Sequence, residues 1–381
     1  MKRSRDRILT THAGSLQRPD DLRQMLNAIG NREAYDEGAF AERLRGAVAE
    51  VVRNQAANGM DFINDGEQSK FSWTTYARER LSGHEQRDLR PGEEPTRIFS
   101  ADMRDFPEYF ARQTAGSNQR PVFCTGPLKY IGQVAIQTDI ANLKAALQGV
   151  KHEEAVLTAV APGTIEHWMR NQHYATQEDF LFAIADAMHD EYKAITDAGF
   201  VLQIDDPDMA DAYQIAYPIS IEEYRRHAAV RVEALNQALR EVPEEQVRFH
   251  VCWGSYKGPH VYDIELQHII DLIYEVKAQA YSIEQSNPRH EHEWHVFETH
   301  KLPDGKILVP GVVGHACDFI EHPRLVADRL IQYAKLVGRE NVQAGTDCGL
   351  GTRVGHPKIG WAKFRAMADG AALATKELWT R

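Results

Sequence analysis

The sequence predicts an α/β protein, a single (β/α)8 or TIM barrel with one insertion, and three observations support this. Short apolar runs alternate with amphipathic stretches along the chain, a pattern typical of parallel βαβ units. Polar, potentially reactive residues follow nearly every run, as they do at the catalytic rim of such a barrel. No Gly-x-Gly-x-x-Gly turn follows the first run, which disfavours a dinucleotide-binding sheet.

The elements follow in order along the chain. Amphipathic helices are expected where apolar positions recur at three- and four-residue intervals, over 180–198, 221–239, 268–278 and 323–337. Strands are expected at 8–12, 62–65, 121–125, 156–161, 200–205, 247–252, 280–284, 307–313 and 342–346. A barrel needs one strand fewer. Because the irregular polar segment 82–119 directly precedes the run at 121–125, we assign residues 82–130 to an insertion between strands 2 and 3. Residues 1–381 then form one domain.

Composition narrows the classes of function. A net charge of -11 argues against a nucleic-acid partner. No apolar segment has the length of a membrane span, and no signal-peptide core follows the charged first residues. The four cysteines lack the dense spacing of a disulfide scaffold. We therefore expect a cytoplasmic protein with reduced thiols and small-molecule partners, with homo-oligomerisation left open.

Three side chains predict a zinc site. His250 and Cys252 end one apolar run, and Cys348 follows another. Because residues i and i+2 of a strand share a face, the imidazole and the thiolate can bind one ion, and these are ligands that zinc prefers. Cys124 and Cys317 lack such a setting, and we expect them to be structural thiols.

The fourth ligand has several candidates. Glu284 ends its own strand, and a carboxylate is an acceptable zinc ligand. His290 and His292 are rivals, although residues at i and i+2 of a helix do not face together, and water is a further alternative. Zinc held by two thiolates is a weak Lewis acid, better suited to holding a substrate thiol as thiolate than to making hydroxide. The predicted chemistry is alkyl transfer to sulfur.

These residues resemble a known family, the catalytic barrel of cobalamin-independent methionine synthase, together with the related single-barrel epoxyalkane:coenzyme M transferases. The resemblance lies in segments 11–15, 65–67, 203–207, 250–252, 283–284 and 347–353. It implies that Zn2+ is held by His250, Cys252, Glu284 and Cys348. It also implies that Ser15, Glu67 and Asp205 bind the amino-acid thiol, and that His315 donates a proton to the leaving group.

The chain departs from the family pattern in three places. Asp206 stands where a glutamate is common, the sequence around His315 lacks the expected aspartate, and the chain starts at the catalytic barrel rather than at a second, folate-holding half. The alkyl donor therefore stays open among methyl-folate, corrinoid, epoxide and other compounds.

Two other functions compete with methyl transfer to homocysteine. One is epoxide opening by a zinc-bound thiol such as coenzyme M, whose sulfonate would need a cation from Arg18, Lys257, Arg289 or Arg353. The other is a non-catalytic binding protein that keeps zinc as a structural element.

Overall fold

The computed structural model describes residues 1–31, 33–93, 100–113 and 120–380. The strands are β1 (Leu9–Thr10), β2 (Phe62–Asn64), β3 (His84–Gln86), β4 (Val122–Cys124), β5 (Glu154–Val160), β6 (Met169–Asn171), β7 (Val201–Asp205), β8 (Val247–Val251), β9 (Ala280–Ile283), β10 (Ile307–Val313) and β11 (Gln343–Thr346). The helices are α1 (Asp20–Gly30), α2 (Glu37–Ala57), α3 (Trp73–Glu79), α4 (Ser100–Asp105), α5 (Pro107–Gln113), α6 (Gln133–Ala146), α7 (Pro162–Trp168), α8 (Gln177–Asp197), α9 (Asp208–Ala216), α10 (Ile221–Ala238), α11 (Ile270–Glu275), α12 (Val296–Thr299), α13 (Pro323–Val337) and α14 (Pro357–Trp379).

Eight strands form one parallel sheet in the order β1-β11-β10-β9-β8-β7-β5-β2. The two ends of this order also meet, because the backbone N–H of Asp61, just before β2, donates to the carbonyl of Thr10 at 3.1 Å. Helices separate most consecutive strands. The predicted TIM barrel is confirmed.

The ninth predicted strand lies outside this barrel, as expected. β4 pairs antiparallel with β3 and parallel with β6, forming a separate three-stranded sheet. Parts of the predicted insertion, 94–99 and 114–119, lie outside the described residues. The sequence reading missed β3 and β6, since each has only three residues and a largely polar composition.

The barrel interior is apolar at one end and polar at the other. Leu9, Phe62, Val156 and Val201 pack together near the amino ends of their strands. Farther along β8, Arg248 reaches across the barrel and donates to the carbonyl of His12 at 3.0 Å. Because neighbours on a strand alternate between faces, His250 also points into the barrel interior, two residues nearer to the carboxyl end of β8.

The predicted helices are present with small differences in their ends. The prediction for 268–278 was too long, because a 3-10 turn (Leu266–His268) precedes α11 and the chain is already extended at Val276, before β9. Within the described part of the chain, no helix is long and apolar enough to cross a membrane.

Candidate active site

The carboxyl end of the barrel brings together His250, Cys252 and Cys348. One ligand atom from each, a ring nitrogen or a sulfur, lies within 4.8 Å of the other two. β8 carries His250 and ends one residue before Cys252, whereas Cys348 lies two residues after β11. β9 and β10 separate these strands in the sheet, so the three side chains converge at the barrel mouth. We call them the rim trio.

His250 has one engaged and one unengaged ring nitrogen. Its Nδ1 lies 3.2 Å from the Ser282 hydroxyl on the neighbouring strand β9. Its Nε2 is buried and has no hydrogen-bond partner among the residues that the structure describes. Buried polar atoms rarely stay unsatisfied, and an imidazole nitrogen beside two sulfurs is a donor set that zinc prefers. The rim trio therefore fits a zinc ion.

The thiols of the trio are electrostatically unequal. The sulfur of Cys252, followed by His250 and the nearby His315, holds the pKa of Cys348 well below its ordinary value. The interaction with Cys348 and burial raise the pKa of Cys252. For His250, burial lowers the pKa, but the Cys348 sulfur and Asp205 outweigh it and the net change is upward. The two thiols thus differ in acidity, and Cys348 is the one that ionises more readily.

Glu284 lies beside the rim trio, in a second group with His315 and Asp347. Its carboxylate accepts from the Trp253 backbone N–H at 3.0 Å and from Asn287 at 3.1 Å. Burial raises the pKa of Glu284.

His315 lies close to Glu284, and its charge also acts on Cys348. Its Nδ1 is 3.9 Å from the Glu284 carboxylate. The ring is buried, and neither nitrogen has a hydrogen-bond partner among the described residues.

Asp347 fixes the loop that carries Cys348, a role that the sequence reading did not assign. Its Oδ1 accepts from the backbone N–H groups of Gln285 and Ser286 at 2.9 and 2.8 Å, and its Oδ2 accepts from the Ser286 hydroxyl at 2.6 Å. Since Asp347 precedes Cys348 and the other two residues follow Glu284, these bonds tie the predicted ligands of two strands together. The position of Asp347 after a strand was the available signal.

The rival fourth ligands lie elsewhere. His290 is buried and bonded on both nitrogens, to Glu293 at 2.8 Å and to Asp263 at 2.9 Å. His292 is exposed. Among the described residues, neither belongs to the rim trio, and His290 is grouped instead with His260 and Asp263.

A cavity of about 330 Å³ opens onto the rim trio. The predicted substrate-binding residues Ser15, Glu67 and Asp205 all belong to its wall. Two other predicted site residues, Glu284 and His315, are not among the described residues that line it. The remaining charged or aromatic wall residues are Arg18, Phe71, His167, Trp168, Asp208, Asp211 and Arg353.

Backbone geometry positions two of the predicted substrate-binding residues. Glu67 has a φ of 55°, a left-handed conformation that costs an L-residue roughly 1–2 kcal/mol, and its carboxylate accepts from Thr158 at 3.1 Å. Ser15 packs against Gly349 and Gly351, where an added Cβ would lie 2.7 and 2.6 Å from Ser15 atoms. The loop after β11 therefore needs glycine to approach Ser15.

Asp205 ends β7 within the same wall. Its carboxylate accepts from the Gln203 side chain at 2.6 Å. Burial raises the pKa of Asp205 to about 7, with contributions from the charges of Glu67 and Cys348. A cationic group entering the cavity would favour its ionised form.

The sequence reading missed three wall residues on and before α9. His167 Nδ1 lies 2.5 Å from the Asp208 carboxylate, and Asp211 follows one helical turn later. Their signal was the acidic spacing directly after Asp205, at the carboxyl end of a barrel strand. Two of the proposed sulfonate-binding cations, Arg18 and Arg353, line the cavity, whereas Lys257 and Arg289 are not among its described lining residues.

Known proteins are similar to this chain in sequence and in fold. The family model of the cobalamin-independent synthase catalytic domain matches residues 118–372. A methionine synthase of Sulfolobus acidocaldarius is 25% identical over 373 residues, covering 97% of this chain and 93% of the relative. A 2-hydroxypropyl-CoM lyase of Xanthobacter autotrophicus is 24% identical over 378 residues, covering 92% and 89%.

A solved structure supports the fold. It is a B12-independent methionine synthase from Shewanella sp. W3-18-1 in complex with selenomethionine, with a TM-score of 0.73 at 18% identity, and the match covers 98% of this chain and all of that one. The family match spans more than half of the sequence, including β8 and the loop after β11 that carry the rim trio. The chain therefore belongs to the family of the cobalamin-independent synthase catalytic domain, a family of transferases.

Proposed function

We propose that this protein transfers a methyl or other alkyl group to the sulfur of a small thiol in a zinc-dependent reaction, with homocysteine as the simplest acceptor. The observation that carries the proposal is the rim trio, whose unengaged imidazole nitrogen and two sulfurs face a cavity that also contains Ser15, Glu67 and Asp205. The methionine synthases among the relatives support the choice of acceptor.

His250, Cys252 and Cys348 would hold the zinc, with Glu284 as the proposed fourth ligand. When bound, zinc supplies a site at which a substrate thiol stays deprotonated at neutral pH. Glu284 is already bonded to the Trp253 N–H and to Asn287. These bonds would fix the orientation of the Glu284 carboxylate if it held the ion.

The wall of the cavity would orient the amino-acid part of the acceptor. Glu67 and Asp205 offer carboxylates to its ammonium group. Ser15 offers a hydroxyl to its carboxylate. His315 is the proposed proton donor for a basic leaving group, since it lies close to Glu284 and its charge acts on Cys348.

X-ray absorption at the zinc edge, with and without homocysteine, tests the proposal. We expect bound zinc, one additional sulfur neighbour after homocysteine is added, and formation of methionine when methyl iodide serves as a generic methyl donor. Protein that retains no zinc, together with a Cys252→Ser variant that alkylates homocysteine at the wild-type rate, would contradict it. Retained zinc with an unchanged spectrum for every thiol would instead favour the non-catalytic binding protein.

A second candidate acceptor is coenzyme M in an epoxide-opening reaction. Arg18 and Arg353 line the cavity and could meet a sulfonate, and one relative is a 2-hydroxypropyl-CoM lyase. However, Arg18 donates to the carbonyl of Glu67 at 2.6 Å, and Arg353 donates to the carbonyl of Ser255. Thermal shifts of the zinc-loaded protein with homocysteine and with coenzyme M separate the two acceptors, because only the preferred thiol should stabilise it strongly.

A further inference from the structure

One carboxyl group in the cavity wall has an unsatisfied oxygen. Asp211 lies in α9 and is only 8% exposed, and it lines the same cavity as the rim trio. Its Oδ1 is buried and finds no hydrogen-bond partner among the residues that the structure describes. A buried carboxylate without a partner is costly, so a cation that reaches the Asp211 carboxyl group from the cavity would stabilise its ionised form.

Neighbouring carboxylates already have partners. Asp208, one turn earlier in α9, is bonded to His167 at 2.5 Å. Asp102 accepts from the Tyr256 hydroxyl at 2.8 Å. Asp211 thus differs from other acids of this region in having an oxygen that the protein leaves unmet.

The electrostatic surroundings of Asp211 are strongly negative. Burial raises its pKa well above the ordinary value, and the charges of nearby carboxylates add to the increase. These carboxylates belong to Asp208, Asp263, Asp102 and Glu284. A cation placed beside Asp211 would reverse this balance and release the proton.

The rest of the wall suits a small cation. Phe71 and Trp168 line the cavity, and aromatic side chains attract cations. The wall carries four acidic residues, Glu67, Asp205, Asp208 and Asp211, against two arginines. About 330 Å³ lies at the small end of the ~300–1,000 Å³ usual for ligand sites, and the thiol acceptor must occupy part of it.

We propose that the alkyl donor is a small onium compound, a methylated sulfonium or quaternary ammonium, whose positive centre pairs with Asp211 against the rings of Phe71 and Trp168. This inference rests on the proposed function, since it names the donor for that same cavity. Asp211 is then the residue that selects a charged donor over a neutral one.

The chemistry balances without a proton donor. The electron pair of the acceptor thiolate forms a bond to the methyl carbon of the donor. The bond between that carbon and the onium sulfur or nitrogen breaks, and its electron pair stays on the leaving atom. The donor departs as a neutral thioether or tertiary amine. With such a donor, the proton donation proposed for His315 is not needed.

Calorimetric titration of the zinc-loaded protein tests the inference with choline and its neutral isostere 3,3-dimethyl-1-butanol. We expect wild type to bind choline at least tenfold more tightly and to release about one proton, read from the buffer dependence of the enthalpy. Asp211→Asn should abolish both the preference and the proton release. Asp206→Asn is the matched control, because Asp206 is a nearby buried acid that is bonded to Thr164 and is not among the described wall residues.

Equal binding of choline and its isostere by wild type, or a preference that survives in Asp211→Asn, overturns the inference. Should Asp211→Asn fail to fold, Phe71→Ala replaces it, since that side chain is 40% exposed. We expect Phe71→Ala to weaken choline binding about two- to fivefold relative to the isostere, and no change would overturn the inference.

Methyl transfer to homocysteine from trimethylsulfonium or from tetramethylammonium then identifies which onium serves. Transfer from either one supports the inference. Charge-selective binding with no thiol alkylation from any donor, methyl iodide included, would count against the proposed function instead.

Discussion

Two buried clusters near the barrel mouth look alike by distance but differ in their hydrogen bonds. The rim trio is one. The second consists of His260, Asp263 and His290, which we call the histidine–aspartate network. In each cluster the ligand atoms lie within 4.8 Å of one another. Proximity alone would nominate both as metal sites.

Their hydrogen bonds separate them. In the network, one oxygen of Asp263 meets His260 Nδ1 at 2.7 Å and His290 Nε2 at 2.9 Å, while His290 Nδ1 meets Glu293 at 2.8 Å. In the rim trio, Nε2 of His250 has no partner among the described residues. The network satisfies its ring nitrogens within the protein, whereas the rim trio keeps a ring nitrogen available for the proposed zinc.

The network also supports the rim mechanically. His290 stacks on Trp253, with ring centroids 3.9 Å apart, and Trp253 directly follows Cys252. Burial lowers the pKa of His290, but its bonds to Asp263 and Glu293 outweigh this effect and raise the pKa to about 9. At neutral pH the network therefore holds an imidazolium behind the proposed ligands.

The largest effect is expected from a substitution that removes a member of the rim trio. Cys252→Ser should lower zinc affinity by more than the ~10–100-fold that is typical for outer partners of a metal ligand, because it removes a ligand atom itself. Competition against a chelating dye measures this. Cys317→Ser is the control, since Cys317 is outside the trio, and it should retain zinc. Equal zinc affinity in both variants would contradict the assignment.

The next largest effect is expected from a substitution in the histidine–aspartate network. Asp263→Asn should cost about 3–5 kcal/mol of unfolding free energy, because it removes the buried carboxylate that His260 and His290 share, while zinc stoichiometry stays unchanged. Urea denaturation and metal analysis measure the two outcomes, with the exposed Asp304→Asn as control. Loss of zinc from the folded Asp263→Asn protein would show that the two clusters are not separate.

Unfolding free energies measured over a series of pH values test the charge of the histidine–aspartate network. Since folding raises the pKa of His290 from 6.5 to about 9, its stabilisation is fully present below about pH 6.5 and is lost as the pH rises through 9. The contribution is about 3 kcal/mol. The difference between the unfolding free energies at pH 6.5 and at pH 9.5 should therefore be smaller in His290→Gln than in wild type. Parallel pH profiles of the two proteins would refute this origin.

The smallest effect concerns the orientation of His250. Ser282→Ala removes the hydroxyl beside its Nδ1 and should weaken zinc affinity about tenfold, with little change in unfolding free energy of the zinc-free protein. Ser255→Ala, which removes the hydroxyl that donates to the Cys348 sulfur at 3.2 Å, is the companion variant. An unchanged zinc affinity in Ser282→Ala would mean that the ring is held by packing alone.

Local sequence patterns predicted most of the barrel. All nine predicted strands are present, and the surplus one lies in a separate sheet. This succeeded because buried parallel strands are apolar runs whose carboxyl ends carry the polar rim. Strands β3 and β6 were not predicted, because their pairing with β4, rather than their composition, makes them strands.

The amino-acid sequence by itself determined the barrel, the strand-end position of each rim residue, and the pairing of His250 with Cys252 on one strand face, because these depend on periods of two and of three to four residues. Only the tertiary structure decided that Cys348 meets that pair, that Glu284 is bonded to the Trp253 N–H, that His290 belongs to an ion network, and that Asp211 lines the cavity with an unmet oxygen. Those facts depend on distances between strands far apart in the chain and on which hydrogen bonds the folded protein satisfies, and neither quantity is encoded in any local pattern.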